Sequence, residues 1–247
     1  MRKHFSLAGL ALALVLAGCG SGGGGGDGEP AAPLPMAQGF WNGAIAGSAL
    51  DAAYARAVVL DDGRTWVFLH EDAVGGLRGL VTGRLAASAD GYSGSGTRYE
   101  ADGRAGGSVD FNAGAASASA WRVSAVRGGA SSTLDLAPDA RYGVAATAAA
   151  VAGTWNFTQA GGSITGAWTI DGAGRLAGLR TPGCSYDGSV TPYGATAVYE
   201  VALVESCSGE APVRFEGIAK LNSEASFLTF GIAKADGSMA QAFVAGR

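Results

Sequence analysis

The pattern Gly-x-Trp-Asn occurs twice, at Gly39-Phe40-Trp41-Asn42 and at Gly153-Thr154-Trp155-Asn156, and each copy opens a long stretch of β-like sequence. Behind each copy lie short segments of alternating or β-branched character, separated by turn residues at the spacing of small sandwiches and barrels. In the first half, strands are expected at 40–46, 53–60, 65–71, 77–85, 91–100, 107–112, 117–126 and 132–136, with turns at Asp61-Asp62-Gly63, Asp90-Gly91 and Asp102-Gly103. In the second half they are expected at 154–159, 163–170, 175–179, 184–190, 197–205, 213–220, 226–233 and 239–245, with turns at Asp171-Gly172 and Asp236-Gly237-Ser238, and with Asp187-Gly188 within or beside a strand. Eight short strands per half predict an all-β protein of two small antiparallel eight-stranded barrels, because closure removes the open edges that template aggregation.

The expected domains are a first barrel over 38–137 and a second over 153–247. Each is treated as autonomous, so fragments cut in the connector should fold separately. Residues 138–152 begin at Pro138-Asp139 and are rich in Ala. Asp139 could cap a short helix there and Gly153 end it, giving a stiff connector; an extended linker is the alternative.

Residues 20–35 have no apolar periodicity that could build a core. Arg2 and Lys3 precede an apolar run from Leu7 to Leu16, which is too short to span a bilayer and reads as the h-region of a signal peptide, residues 1–18. The tetrad Leu16-Ala17-Gly18-Cys19 resembles the lipobox of bacterial lipoproteins. That resemblance implies cleavage before Cys19, a diacylglyceryl group on its thiol and acylation, palmitate included, of the new terminus; several acyl chains anchor stably where one does not. An ordinary secretory signal with an incidental Cys is the other reading. Residues 19–37, with six Gly between Cys19 and Asp27 and then Pro30, Pro33 and Pro35, form a flexible tether. About twenty such residues span roughly 25 Å. Lipoprotein sorting implies the outer membrane, since Gly20 rather than Asp follows the Cys.

Loss of Arg2 and Lys3 leaves 15 basic against 21 acidic residues, a net charge of −6 without a basic stripe, which argues against nucleic-acid binding. Cys184 and Cys207 are the remaining cysteines. Export favours their pairing, one near the start of a strand and the other just past the end of the next. Metal binding lacks nearby histidines, and no cofactor or metal site is expected.

Catalytic chemistry finds little support. His70, the one histidine beyond the signal peptide, ends Trp66-Val67-Phe68-Leu69-His70, where alternation puts Trp66, Phe68 and His70 on one strand face. It reads most simply as a rim residue. No G-x-S-x-G elbow occurs, and Gly22–Gly26 is a phosphate cradle in composition only. The carboxylate pairs Asp61-Asp62 and Glu71-Asp72 sit at turns or strand ends, where solvation explains them.

Gly-x-Trp is similar to the first strand of lipocalins, in which the Trp packs across the closed end of the barrel. Barrels this short are filled by their own side chains, so Trp41 and Trp155 are expected in the cores. The lipobox, the tether, the two Gly-x-Trp starts, the Ala-rich connector, the run Thr181 to Pro192 with Cys207, and the closing Ala242-Phe243-Val244-Ala245-Gly246-Arg247 together resemble tandem β-barrel lipoproteins of proteobacteria. In architecture the chain is also similar to factor H-binding and transferrin-binding surface lipoproteins. These resemblances imply a non-enzymatic outer-membrane lipoprotein, held to the membrane at Cys19, whose barrels present a protein-binding or envelope-structural surface to a partner. The alternatives are a lipocalin-like carrier of a small apolar ligand and an enzyme built around His70.

Overall fold

A computed structural model describes residues 32, 34–159 and 164–247. The signal peptide, Cys19, most of the tether and Ser163 lie outside the described residues. The chain forms two closed antiparallel barrels of eight strands each, strand following strand in order around both. The first comprises β1 (Gly39–Gly47), β2 (Tyr54–Val59), β3 (Arg64–His70), β4 (Leu77–Ala87), β5 (Tyr92–Glu100), β6 (Ala105–Ala113), β7 (Trp121–Arg127) and β8 (Ala130–Asp139). The second comprises β9 (Gly153–Gln159), β10 (Ile164–Ile170), β11 (Arg175–Arg180), β12 (Cys184–Pro192), β13 (Val198–Cys207), β14 (Val213–Leu221), β15 (Phe227–Lys234) and β16 (Ala240–Gly246).

Alternation dictates which faces turn inward. In β7, Trp121, Val123 and Ala125 are buried while Arg122 and Ser124 are exposed; in β9, Trp155 and Phe157 point in and Thr154 and Asn156 out. Barrel 1 is filled by residues such as Trp41, Val67, Val81, Phe111, Trp121 and Leu134. Barrel 2 is filled by a denser aromatic set in which Trp168 lies 5.0–5.2 Å, ring centre to ring centre, from Phe157, Tyr186, Phe230 and Phe243. Such edge-on contacts add about 0.5–1.5 kcal/mol per pair to the burial itself.

The sequence repeat is a structural repeat. Trp41 Nε1 donates to the Ala37 carbonyl at 3.0 Å, and Trp155 Nε1 donates to the Val151 carbonyl at 2.7 Å. In each case the chain four residues upstream is drawn across the end of the barrel, with Ala37 and Val151 buried beneath it. A tyrosine on each fifth strand pins the same segment, Tyr92 Oη donating to Pro35 O and Tyr199 Oη to Thr147 O. The hairpin turns correspond as well. Gly63 and Gly174 have φ of +84° and +85°, and a Cβ there would strike the carbonyls of Leu85 and Val190, whose own N–H groups bond back to Gly63 O and Gly174 O.

The closing seams differ. In barrel 1, β1 pairs with β8 from Phe40↔Asp139 to Gly47↔Ser132, whereas in barrel 2, among the described residues, β16 meets β9 at Ala245↔Phe157 and Gly246↔Asn156. The connector holds a 3-10 turn at Ala140–Gly143, capped by the Asp139 side chain on Arg141 N, and a single α-helical turn, α1 (Ala148–Val151), capped by Thr147. An extended stretch separates the turns, so no continuous helix runs from Asp139 to Gly153.

The barrels also share a third core, which the expectation of autonomous barrels did not foresee. Phe40, Val58, Leu60, Trp66, Phe68, Leu80 and Tyr99 turn outward from barrel 1 and pack with Val198, Ile218 and Ala240 of barrel 2. Gly231 leaves room for the Phe68 ring, whose Cζ would stand 2.8 Å from a Cβ at that position. Polar contacts frame this core. Arg64 pairs with Glu200 at 2.9 Å, Tyr193 bonds Asp61, Tyr99 Oη donates to Gly237 O, and Ala240 N donates to Gly103 O.

Candidate functional site: the cleft between the barrels

The barrel interiors leave little room. The cavity inside barrel 1, lined by residues including Ala57, Val67, Phe111, Trp121 and Leu136, has a volume of about 20 Å³, near the space of one water. Trp41 and Trp155 are 5% and 0% exposed and belong to the two cores, as expected.

Cys184 and Cys207 face each other in register on β12 and β13 and form a disulfide, with Cα atoms 4.1 Å apart. Glu205 lies beside them, but each sulfur is bonded to the other, and the Glu205 carboxylate is taken by Arg180 and by Tyr186 Oη. Burial, reinforced by that carboxylate, pushes the Tyr186 hydroxyl well above its ordinary range. The arrangement braces a hairpin.

The carboxylate pairs behave as turn builders. Asp62 accepts from Arg64 N and Nε, Asp72 accepts from the Val74 and Gly75 amides, and Glu71 pairs with exposed Arg78. Asp61 takes the Tyr193 hydroxyl across the barrel junction.

His70 is the exception to the sequence reading. It is 6% exposed, not a solvated rim residue, because the outward face of β3 that carries Trp66 and Phe68 is covered by barrel 2. The signal was in the sequence: Thr65 to Leu69 is an almost unbroken apolar run, the mark of a strand buried on both faces. His70 lines a cleft of about 540 Å³ together with Arg56, Leu77, Glu100, Asp102 and Gln241. Its Nδ1 lies 3.1 Å from the Gly75 carbonyl, which can only accept, so Nδ1 carries the proton. Nε2 is buried and has no partner among the described residues. Burial is the main cause that holds the imidazole below its ordinary pKa, and the nearby cations of Arg56 and Lys220 act in the same direction, while Asp72 opposes them.

Lys220 on β14 is 9% exposed, with Nζ 5.1 Å from the centre of the Phe40 ring. Burial, with the charges of Arg56 and Arg141, lowers its pKa to about 8. Tyr142, nearby in the connector, keeps a buried hydroxyl without a partner among the described residues, and burial pushes it up to about 12.

No protein-family model matches the chain, and no curated protein matches it in sequence. Besides the cleft, the outer wall of barrel 2 carries an open groove of about 1050 Å³ lined by Gly166, Leu179, Arg180, Phe227 and Val244, with Leu179 68% and Phe227 51% exposed. Two of its apolar side chains thus face solvent on strands whose opposite faces hold the core.

Proposed function

We propose that the chain is a non-enzymatic lipoprotein of the outer membrane, anchored through Cys19, whose joined barrels present an outer surface to a protein partner or to the cell envelope. The observation that carries this reading is the packing of both barrels: each is stoppered by its own chain and filled by its own side chains, so recognition falls to the outside. A lipocalin-like carrier would need internal volume of the order of 300 Å³ or more, against the 20 Å³ cavity in barrel 1. The lipobox resemblance supports the anchor, and the exposed Leu179 and Phe227 supply a candidate contact surface.

Two measurements test the halves of the proposal. Cys19→Ser should lose incorporation of a fatty-acid analogue and leave the membrane fraction; label persisting on that variant rules out the anchor. A photo-crosslinking residue at Leu179 should capture a defined partner in intact cells, while one at exposed Arg122 on barrel 1 should not. Equal capture from both positions would remove the groove from the reading.

A further inference from the structure

We propose that the cleft between the barrels binds a small organic oxyanion, a carboxylate or a phosphate monoester, held by Arg56 and His70, with the charge of Lys220 nearby. The inference goes beyond the surface role above and needs neither the lipid anchor nor a protein partner.

Its basis is a surplus of buried basic groups at the barrel junction. His70 and Lys220 are each more than nine-tenths buried, and Arg56 lines the same cleft as His70. Arg56 Nη2 donates to Ala73 O at 2.8 Å, a neutral partner, and none of the three side chains joins an ion pair among the described residues. The acids around them are committed elsewhere. Asp139, which approaches Lys220, is gripped by Arg141; Glu100 is paired with Arg98 and Asp102 with Arg104. Asp72 spends Oδ1 on two backbone amides, and Glu224 on the barrel 2 side is bonded to Asn222 and Ser223.

A guanidinium whose one protein partner is a neutral carbonyl, beside a buried imidazole nitrogen with no partner among the described residues, leaves capacity that a bound anion would take up by direct, charge-assisted hydrogen bonds. Arg56 offers its remaining guanidinium N–H groups. His70 has Nδ1–H committed to Gly75 O, so its bare Nε2 would take up a proton as the anion enters and become a second donor. The cleft, at about 540 Å³, exceeds a lone oxyanion and falls within the range of small-molecule sites. Leu77, Ala242 and Gln241 on its walls suit a short organic body behind the charged head.

The test follows the His70 ring by NMR in the full chain while inorganic phosphate, glycerol phosphate or succinate is added. At least one soluble anion should shift the ring resonances saturably and move the His70 titration midpoint to higher pH. Arg56→Gln, a half-exposed position that should not disturb folding, should weaken that binding by about tenfold or more, the worth of one charged hydrogen bond. No ring shift with any of these anions at millimolar concentration would overturn the proposal. So would saturable binding that Arg56→Gln leaves unchanged, or a response to phosphatidylglycerol vesicles alone.

Discussion

At the residue scale, the most exacting position is Lys220. Its pKa in the fold lies near 8, below the 10.5 of an unperturbed lysine. Between those values the unfolded chain holds more protons than the folded one, so raising the pH from about 8 toward 10.5 should increase stability, and below pH 8 the full penalty of the buried charge applies. Lys220→Met keeps the packing on Phe40 and removes the charge. It should stabilise the protein at pH 7 by about 1–3 kcal/mol and flatten the rise in stability between pH 8 and 10.5. Urea unfolding at pH 7 and pH 9.5 checks both effects, and a destabilised Met variant at pH 7 would show that the ammonium is well compensated. Lys220 was not legible in the sequence. On β14 it follows Ile218 and Ala219 in what reads as an ordinary outward position, and only the arrival of barrel 2 against Phe40 and Arg56 buries it.

At the scale of elements, every strand was legible, because a half-buried antiparallel strand advertises itself by alternation and its turns by Asp-Gly pairs. Gly63, Gly103, Gly174 and Gly237 all have positive φ at or beside the expected turns. The strands that cover the third core were found, but their second buried face was not: β3 lacks the polar half of the alternation, and two-sided burial was the correct inference from it, whereas β14 carries Arg214, Glu216 and Lys220 on one face and gives no such sign. The disulfide was legible in the same way, from strand ends that register places opposite each other. Cys184→Ser with Cys207→Ser should cost roughly 3 kcal/mol in the chain-entropy model, read by denaturant midpoint, without loss of β-rich circular dichroism. A second expectation concerns the seams. With two residue pairs closing barrel 2 and eight closing barrel 1 among the described residues, amides along Gln241–Val244 that face away from β15 should exchange with solvent sooner than those of Asn42–Ala46 facing β8. Equal protection at both seams, measured by hydrogen exchange, would refute that ranking.

At the scale of the whole molecule, the junction changes what separation of the barrels should do. Fragments covering 34–139 and 144–247 each retain a stopper and a core, but each also exposes its half of the junction, Phe40, Trp66 and Phe68 on one side and Val198, Ile218 and Ala240 on the other. The intact chain should melt in a single transition, and the two fragments should bind each other in gel filtration when mixed. Two well-separated transitions in the intact chain, with fragments that ignore each other, would restore the picture of beads on a string. The repeat in the sequence pointed to two bodies; nothing in a repeat reports the face on which its copies meet.

The stopper of barrel 1 has a mechanical consequence. Leu34–Ala37 is at once the way into the first strand and the lid of the barrel, fastened by Leu34 N on Ser88 O, by Tyr92 on Pro35 O and by Trp41 on Ala37 O. Tension arriving from the N-terminal side is borne by these few hydrogen bonds before it reaches any strand pair. The first yield point under load is thus a short peptide lid and the tryptophan beneath it. Barrel 2 has its own lid at Val151, which lies past the whole of barrel 1 along the chain and is not the first fastening that a pull from the N-terminal side would peel.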